Sequence, residues 1–122
     1  MAGSRVPFRI YRRTTLEHGN VIRFIEEPAA GVIELQPSDE QHILVEDAAS
    51  GVSIKLPAPQ KGMWFEIGNR EDDSAEAISI VDHEDEAVGS VPVDATGKYL
   101  AAVNADGDLE WVEFSVILAP SA

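Results

Sequence analysis

The sequence predicts an all-β fold: a small antiparallel β-sandwich or barrel of about eight short strands, with an extended N-terminal arm. Three observations lead there. Short apolar runs rich in Val, Ile, Phe and Trp recur at intervals of roughly ten residues. Pro, Gly, Asn and Asp bound each run, and these residues stop a strand or turn it. The 122 residues hold no cysteine and are 44% hydrophobic, enough for one packed domain that stands without disulfides.

The first run, Val21 to Ile25, is β-prone and ends at Glu26, Glu27 and Pro28. Ala29 to Gly31 reads as a linker, so the expected division is a basic arm over residues 1–28 and an acidic β domain over 29–122. Val32 to Leu35 is a strand stopped by Pro37 and Ser38. From Ser38 to Gly51 two patterns compete. Ser38 and Gln41 have capping-box spacing for a helix ending at Gly51. Ile43, Leu44 and Val45 instead favour a strand from Gln41 to Glu46, leading by a hairpin into the next run, and this is the preferred reading.

That next run is the most informative. Val52, Ile54 and Leu56 alternate with Ser53 and Lys55, the period of a strand with one buried face. Pro57 and Pro59 end it, Gly62 permits a reversal, and Met63 to Ile67 resumes as an aromatic-rich strand. The whole reads as a hairpin-like unit containing no catalytic group. Ala77 to Val81, Val88 to Val93, Tyr99 to Val103 and Leu109 to Leu118 complete the set, the last two joined through an Asp106–Gly107 turn. No helix is required, and no long-period repeat is evident.

Charge is unevenly placed. The net charge is −13, yet residues 1–25 carry five arginines against one acid, Glu17. The other 97 residues hold four basic and 21 acidic groups. Such asymmetry suggests a basic arm and an acidic body with separate tasks. Guanidinium groups pair bidentately with carboxylates, and Val6, Phe8, Ile10 and Tyr11 lie among them, so the arm can bury apolar surface as well as charge. The expected anchoring residues are Arg5, Phe8, Arg9, Tyr11, Arg12, Arg13 and Arg23. The plainer alternative is that the arm pairs with its own acidic body. No apolar run is long enough to span a membrane, and no apolar stretch follows the N-terminal arginines as a signal peptide requires.

The residues offer little for catalysis. There is no cysteine nucleophile, GxSxG elbow, P-loop or GxGxxG. His83 lies among the acids of Asp82-His83-Glu84-Asp85-Glu86, where a solvated turn is the better reading than a metal site. Asn104, Asp106, Asp108 and Glu110 place oxygens at alternate positions but lack EF-hand order, so a polar hairpin turn is expected. No cofactor or metal is implied. Trp64 and Trp111 read first as core, then as anchors at a subunit interface, and last as a carbohydrate platform. The candidate core or trimer-interface set is Leu56, Trp64, Phe65, Ile67, Trp111 and Phe114.

A strand ending in Leu56-Pro57-Ala58-Pro59, a reversal at Gly62, Trp64-Phe65-Glu66-Ile67 with Gly68-Asn69, and then Ile78-Ser79-Ile80 resembles a module of tailed-bacteriophage virion proteins. The final Asp106-Gly107-Asp108-Leu109-Glu110-Trp111 hairpin is similar to the end of those modules. The resemblance spans roughly residues 38 to 114 and excludes the arginine arm. It implies a capsid decoration (cement) or head-fibre protein: a homotrimer whose partner is the major capsid protein. Made in the bacterial host cytoplasm, it would sit on the outer surface of the virion and bind neither membrane nor nucleic acid. The alternatives are a tail-fibre or receptor-binding module and an acidic inhibitor that mimics DNA; an enzyme is the least favoured.

Overall fold

Alternating β-branched and aromatic runs produce strands throughout, and strands are the only regular elements among the described residues. The computed structural model describes residues 13–15 and 21–118. The order is β1 (Arg13–Thr15), β2 (Val21–Glu26), β3 (Gly31–Glu34), β4 (His42–Glu46), β5 (Val52–Lys55), β6 (Trp64–Arg70), β7 (Ile78–Val81), β8 (Ala87–Val91), β9 (Ala95–Val103) and β10 (Leu109–Leu118). Six form a larger sheet, β1-β2-β4-β6-β9-β10, and four a smaller one, β3-β5-β7-β8.

The all-β expectation holds, but the sheets are mixed rather than antiparallel. From β2 to β7 the chain alternates between the two sheets. Each strand from β2 to β5 pairs in parallel with the strand two places later. In the larger sheet Ile22 lies opposite His42, and His42 opposite Glu66; in the smaller, Gly31 lies opposite Val52 and Ser53 opposite Ser79. The chain therefore winds in successive two-strand coils around one core, an arrangement in which each coil completes its neighbour's hydrogen bonding. Antiparallel pairing is confined to β1–β2, β7–β8, β6–β9 and β9–β10.

The hairpins expected between β4 and β5, and between β5 and β6, do not form. Ile43 and Val45 on β4 are buried, as are Val52 and Ile54 on β5, and the two strands lie in different sheets. In one sheet these sets would share a face and leave it to be covered by something else. In two facing sheets they cover each other. The corner that makes this possible turns at Asp47 (φ 56°) and Gly51 (φ 87°).

The same corner occurs one coil earlier. Glu26-Glu27-Pro28-Ala29-Ala30-Gly31-Val32 is echoed by Glu46-Asp47-Ala48-Ala49-Ser50-Gly51-Val52, and Glu27 and Gly31 also have positive φ, 48° and 137°. This is a short internal repeat that the search for a long-period repeat does not register. Backbone bonds stack the corners: Glu27 N–H donates to Glu46 O at 2.7 Å and Asp47 N–H to Arg70 O at 2.9 Å. Ala49 N–H donates to Pro28 O at 3.1 Å, and Glu76 N–H to Ala48 O at 3.0 Å.

After β7 the chain reverses. Asp82 Oδ1 accepts the N–H groups of Glu84 (2.8 Å) and Glu86 (2.9 Å), closing the turn that returns β8 antiparallel to β7. β9 then crosses to the larger sheet, and β10 follows as its edge strand. The boundary expected at Pro28 falls between β2 and β3, and strand pairing runs on both sides of it: β2 is bonded to β4, and β3 to β5.

Between the sheets lie Val45, Ile54, Leu56, Phe65, Ile67, Ile78, Ile80, Val91 and Tyr99, all essentially without solvent access. Each large side chain of this kind contributes about 1.5–3 kcal/mol on burial. Two polar devices lock the closing end. Tyr99 O–H donates to Glu113 Oε2 at 2.9 Å, and that oxygen also accepts Ser90 N–H at 3.2 Å, joining β9 and β10 to β8. Buried Asn69 donates from Nδ2 to Glu76 O (2.9 Å) and Val91 O (3.0 Å).

Candidate functional site

The alternation of strands in the larger sheet decides which face each residue takes. Ile43, Val45, Phe65, Ile67, Tyr99 and Trp111 point into the core. Their neighbours point away from it. Rows read from the register are Phe24–Leu44–Gly68–Thr96–Ile117, Ile22–His42–Glu66–Lys98–Ser115 and Trp64–Leu100–Val112, mostly apolar, and a charged row, Glu26–Glu46–Arg70. No described strand packs over this outer face. Leu44 lies so close over Gly68 that a Cβ there would meet its Cδ1 at 3.0 Å.

The polar groups in the middle row are engaged locally. His42 Nδ1 is 3.0 Å from Glu66 Oε1. The His42 ring meets Trp64 edge-on, with centroids 5.3 Å apart at 81°. Lys98 Nζ stands 5.1 Å from the centre of the Trp64 ring, a cation–π arrangement. Toward the β10 side of the sheet Val112 is 41% exposed, Phe114 65% and Ile117 66%. Phe114 projects from a bulge between Glu113 and Ser115.

The candidate core-or-interface residues thus divide. Leu56, Phe65 and Ile67 are core. Trp111 is also buried, its ring 5.9 Å from that of Phe65 and its Nε1–H donating to Pro57 O at 2.7 Å. Trp64 belongs to the outer face, and Phe114 is an exposed residue at the bulge of β10. Of the anchoring arm, Arg5, Phe8, Arg9, Tyr11 and Arg12 lie outside the described residues. Arg13 is in β1, opposite Arg23 in β2. Arg23 Nη1 pairs with Asp39 Oδ1 at 3.2 Å, so this arginine is tied to its own body, as the plainer reading of the arm has it.

Acidic groups collect at corners and turns, where several serve the backbone. Asp47 Oδ1 accepts the N–H groups of Asp72 (2.8 Å), Asp73 (2.9 Å) and Ser74 (3.2 Å). These bonds, that from Asp73 first, hold its carboxyl below the usual range, with Arg70 adding to the effect and partial desolvation opposing it. Glu46, Asp47 and Asp72 bring carboxylate oxygens within 4.8 Å of one another, but Glu46 Oε2 already pairs with Arg70 Nε at 3.3 Å. In the His83 turn, Asp82 caps the backbone and Asp85 pairs with Lys55 Nζ at 3.1 Å. Asn104 Oδ1 accepts N–H from Asp106 (2.9 Å) and Asp108 (3.0 Å), the geometry of a polar hairpin turn.

Sequence reasoning places Trp64 and Phe114 in one core-or-trimer-interface set with Leu56, Phe65, Ile67 and Trp111, and does not group Trp64 with Phe24, Leu44 and Leu100 on one face. The available signal is the continuous apolar run of β4, Ile43-Leu44-Val45, which marks a strand with two apolar faces. Among the described residues, no helix is long and apolar enough to cross a membrane. Comparison with protein-family models, curated proteins and solved structures gives no match to this chain.

Proposed function

We propose that this chain is a structural decoration protein of a tailed-phage head, a trimer that binds the outer capsid surface and stabilises it. The reading rests on the sequence resemblance set out above and on one structural observation: an apolar patch on the outer face of the larger sheet. Phe24, Leu44, Trp64, Leu100, Val112 and Ile117 lie there, while most acids lie in the corners and turns. That division suits a body that associates through one face and presents charge elsewhere, which favours solubility and repels other particles. Arg5, Arg9 and Arg12, with Phe8 and Tyr11 among them, would serve attachment to the major capsid protein. A scaffold of this kind requires neither cofactor nor catalytic group.

The test is a truncation. Removing residues 2–25 would strip β2 from its pairing with β4, so the cut belongs at residue 12. The chain lacking residues 2–12 is expected to keep its β circular-dichroism spectrum and melting temperature but not to rebind phage heads stripped of it. Undiminished rebinding by the truncated chain would sink the anchoring role.

A further inference from the structure

We infer that the outer edge of β3 is a docking site for this chain's own arm: before any capsid takes the arm, residues 5–8 lie along that edge as an antiparallel strand. The inference concerns the unattached chain and stands whether or not the arm later binds a capsid.

The first coil is closed in one sheet and open in the other. In the larger sheet β1 pairs with β2, whereas in the smaller sheet only β5 pairs with β3 among the described strands. Gly31 N–H donates to Gly51 O at 3.1 Å and Leu35 N–H to Lys55 O at 2.9 Å. By the alternation of a strand, the N–H and C=O groups of Val32 and Glu34 turn the other way, toward the open edge. Such a row of backbone groups is a template for one more strand. Val32 is 59% exposed beside it.

The path of the chain leads to this edge. β1 begins at Arg13, opposite Arg23 and antiparallel to β2. A chain that arrives there from beside β3 runs against the coil of β2, corner and β3, and is antiparallel to both strands. From Phe8 to Arg13 the extended chain reaches about 17 Å, enough to cross the roughly 10 Å between facing sheets. Pro7 has no N–H and must face away from the ladder, which turns the backbone groups of Val6 and Phe8 toward β3. Phe8 then stands opposite Val32 and Val6 opposite Glu34. Side chains directly opposite share a face, so Phe8 covers Val32. A proline on the new edge also blocks further strand addition.

Charge agrees with the path. Residues 26–40 hold five acids and no base. Arg23 on β2 and Lys55 on β5 are paired with Asp39 and Asp85. Residues 5–12 bring Arg5, Arg9 and Arg12 and no acid.

The test is amide hydrogen exchange, read by NMR at room temperature on the full chain and on the chain lacking residues 2–12. Contacts this few are lost on warming before the body melts, so the melting temperature does not report them. An arm docked for about four-fifths of the time slows the Val32 and Glu34 amides about fivefold relative to the truncated chain. Amides of the β9–β10 turn should exchange alike in both. The full-length double variant Val6→Asp/Phe8→Asp should show the faster rates of the truncated chain. Equal rates at Val32 and Glu34 in all three chains overturn the inference. Protection that fades on dilution overturns it too, because the arm would then lie on a second copy.

Discussion

Replacing Asn69 with alanine removes both donors that tie β6 to the Glu76 loop and to β8. Nδ2 now satisfies Val91 O, which is buried, and Glu76 O, which is partly so. An acceptor stranded in the interior costs about 1–3 kcal/mol, and water can reach the Glu76 carbonyl, so most of the loss comes from Val91. Removing Oδ1, a buried atom with no protein partner, offsets part of it. The net expectation is about 1–3 kcal/mol, at roughly 3–5 °C of melting temperature per kcal/mol. Asn69→Asp is more severe at neutral pH, because a carboxylate would face two carbonyl oxygens. Those oxygens raise its folded-state pKa above the unfolded value of about 3.9. The excess penalty is therefore full above the folded pKa and shrinks as pH falls through it. Urea denaturation of the wild type and both variants at one protein concentration, at neutral and at acid pH, measures this. An alanine variant within about 0.5 kcal/mol of wild type, the range of an ordinary surface substitution, would refute the clamp. So would an aspartate variant whose deficit does not shrink on acidification.

Two further outcomes concern titration. Asp47 has a folded pKa below its ordinary 3.8, so its contribution is full above that value and disappears as pH falls through the folded pKa. Asp47→Asn should therefore flatten the acid limb of the stability–pH curve, and an unaltered limb counts against the backbone cap. Burial, followed by the hydrogen bond to Glu113, pushes the Tyr99 phenol well above its ordinary 10. Its contribution is complete below that ordinary value and is lost as pH rises above it. Absorbance titration of Tyr99→Phe against wild type should show the lost phenol to be the one that ionises only on alkaline unfolding.

Much of the strand inventory is legible in the sequence, and the pairing is not. Val52, Ile54 and Leu56 locate β5 by alternation alone, and Asp106–Gly107 locates the β9–β10 turn. The error lies in joining neighbouring strands by hairpins. A reversal such as that near Gly62 looks the same whether it returns a strand beside its predecessor or carries it to a facing sheet. The Glu46–Val52 echo of Glu26–Val32 is the available clue, because a repeated corner implies stacked coils. The candidate site is only partly visible: Trp64 and Trp111 have the same residue type and strand context, and register parity sends one outward and the other into the core. Arg23 likewise reads as part of a basic anchoring arm, and only the fold shows Asp39 beside it.

The most direct test of the proposed role is the number of copies per virion, by quantitative mass spectrometry of virus particles purified from cells that carry this sequence. Hundreds of copies are expected of a protein that decorates a head lattice. A handful would place it in a tail or fibre instead, and its absence from the particles would contradict the structural role altogether.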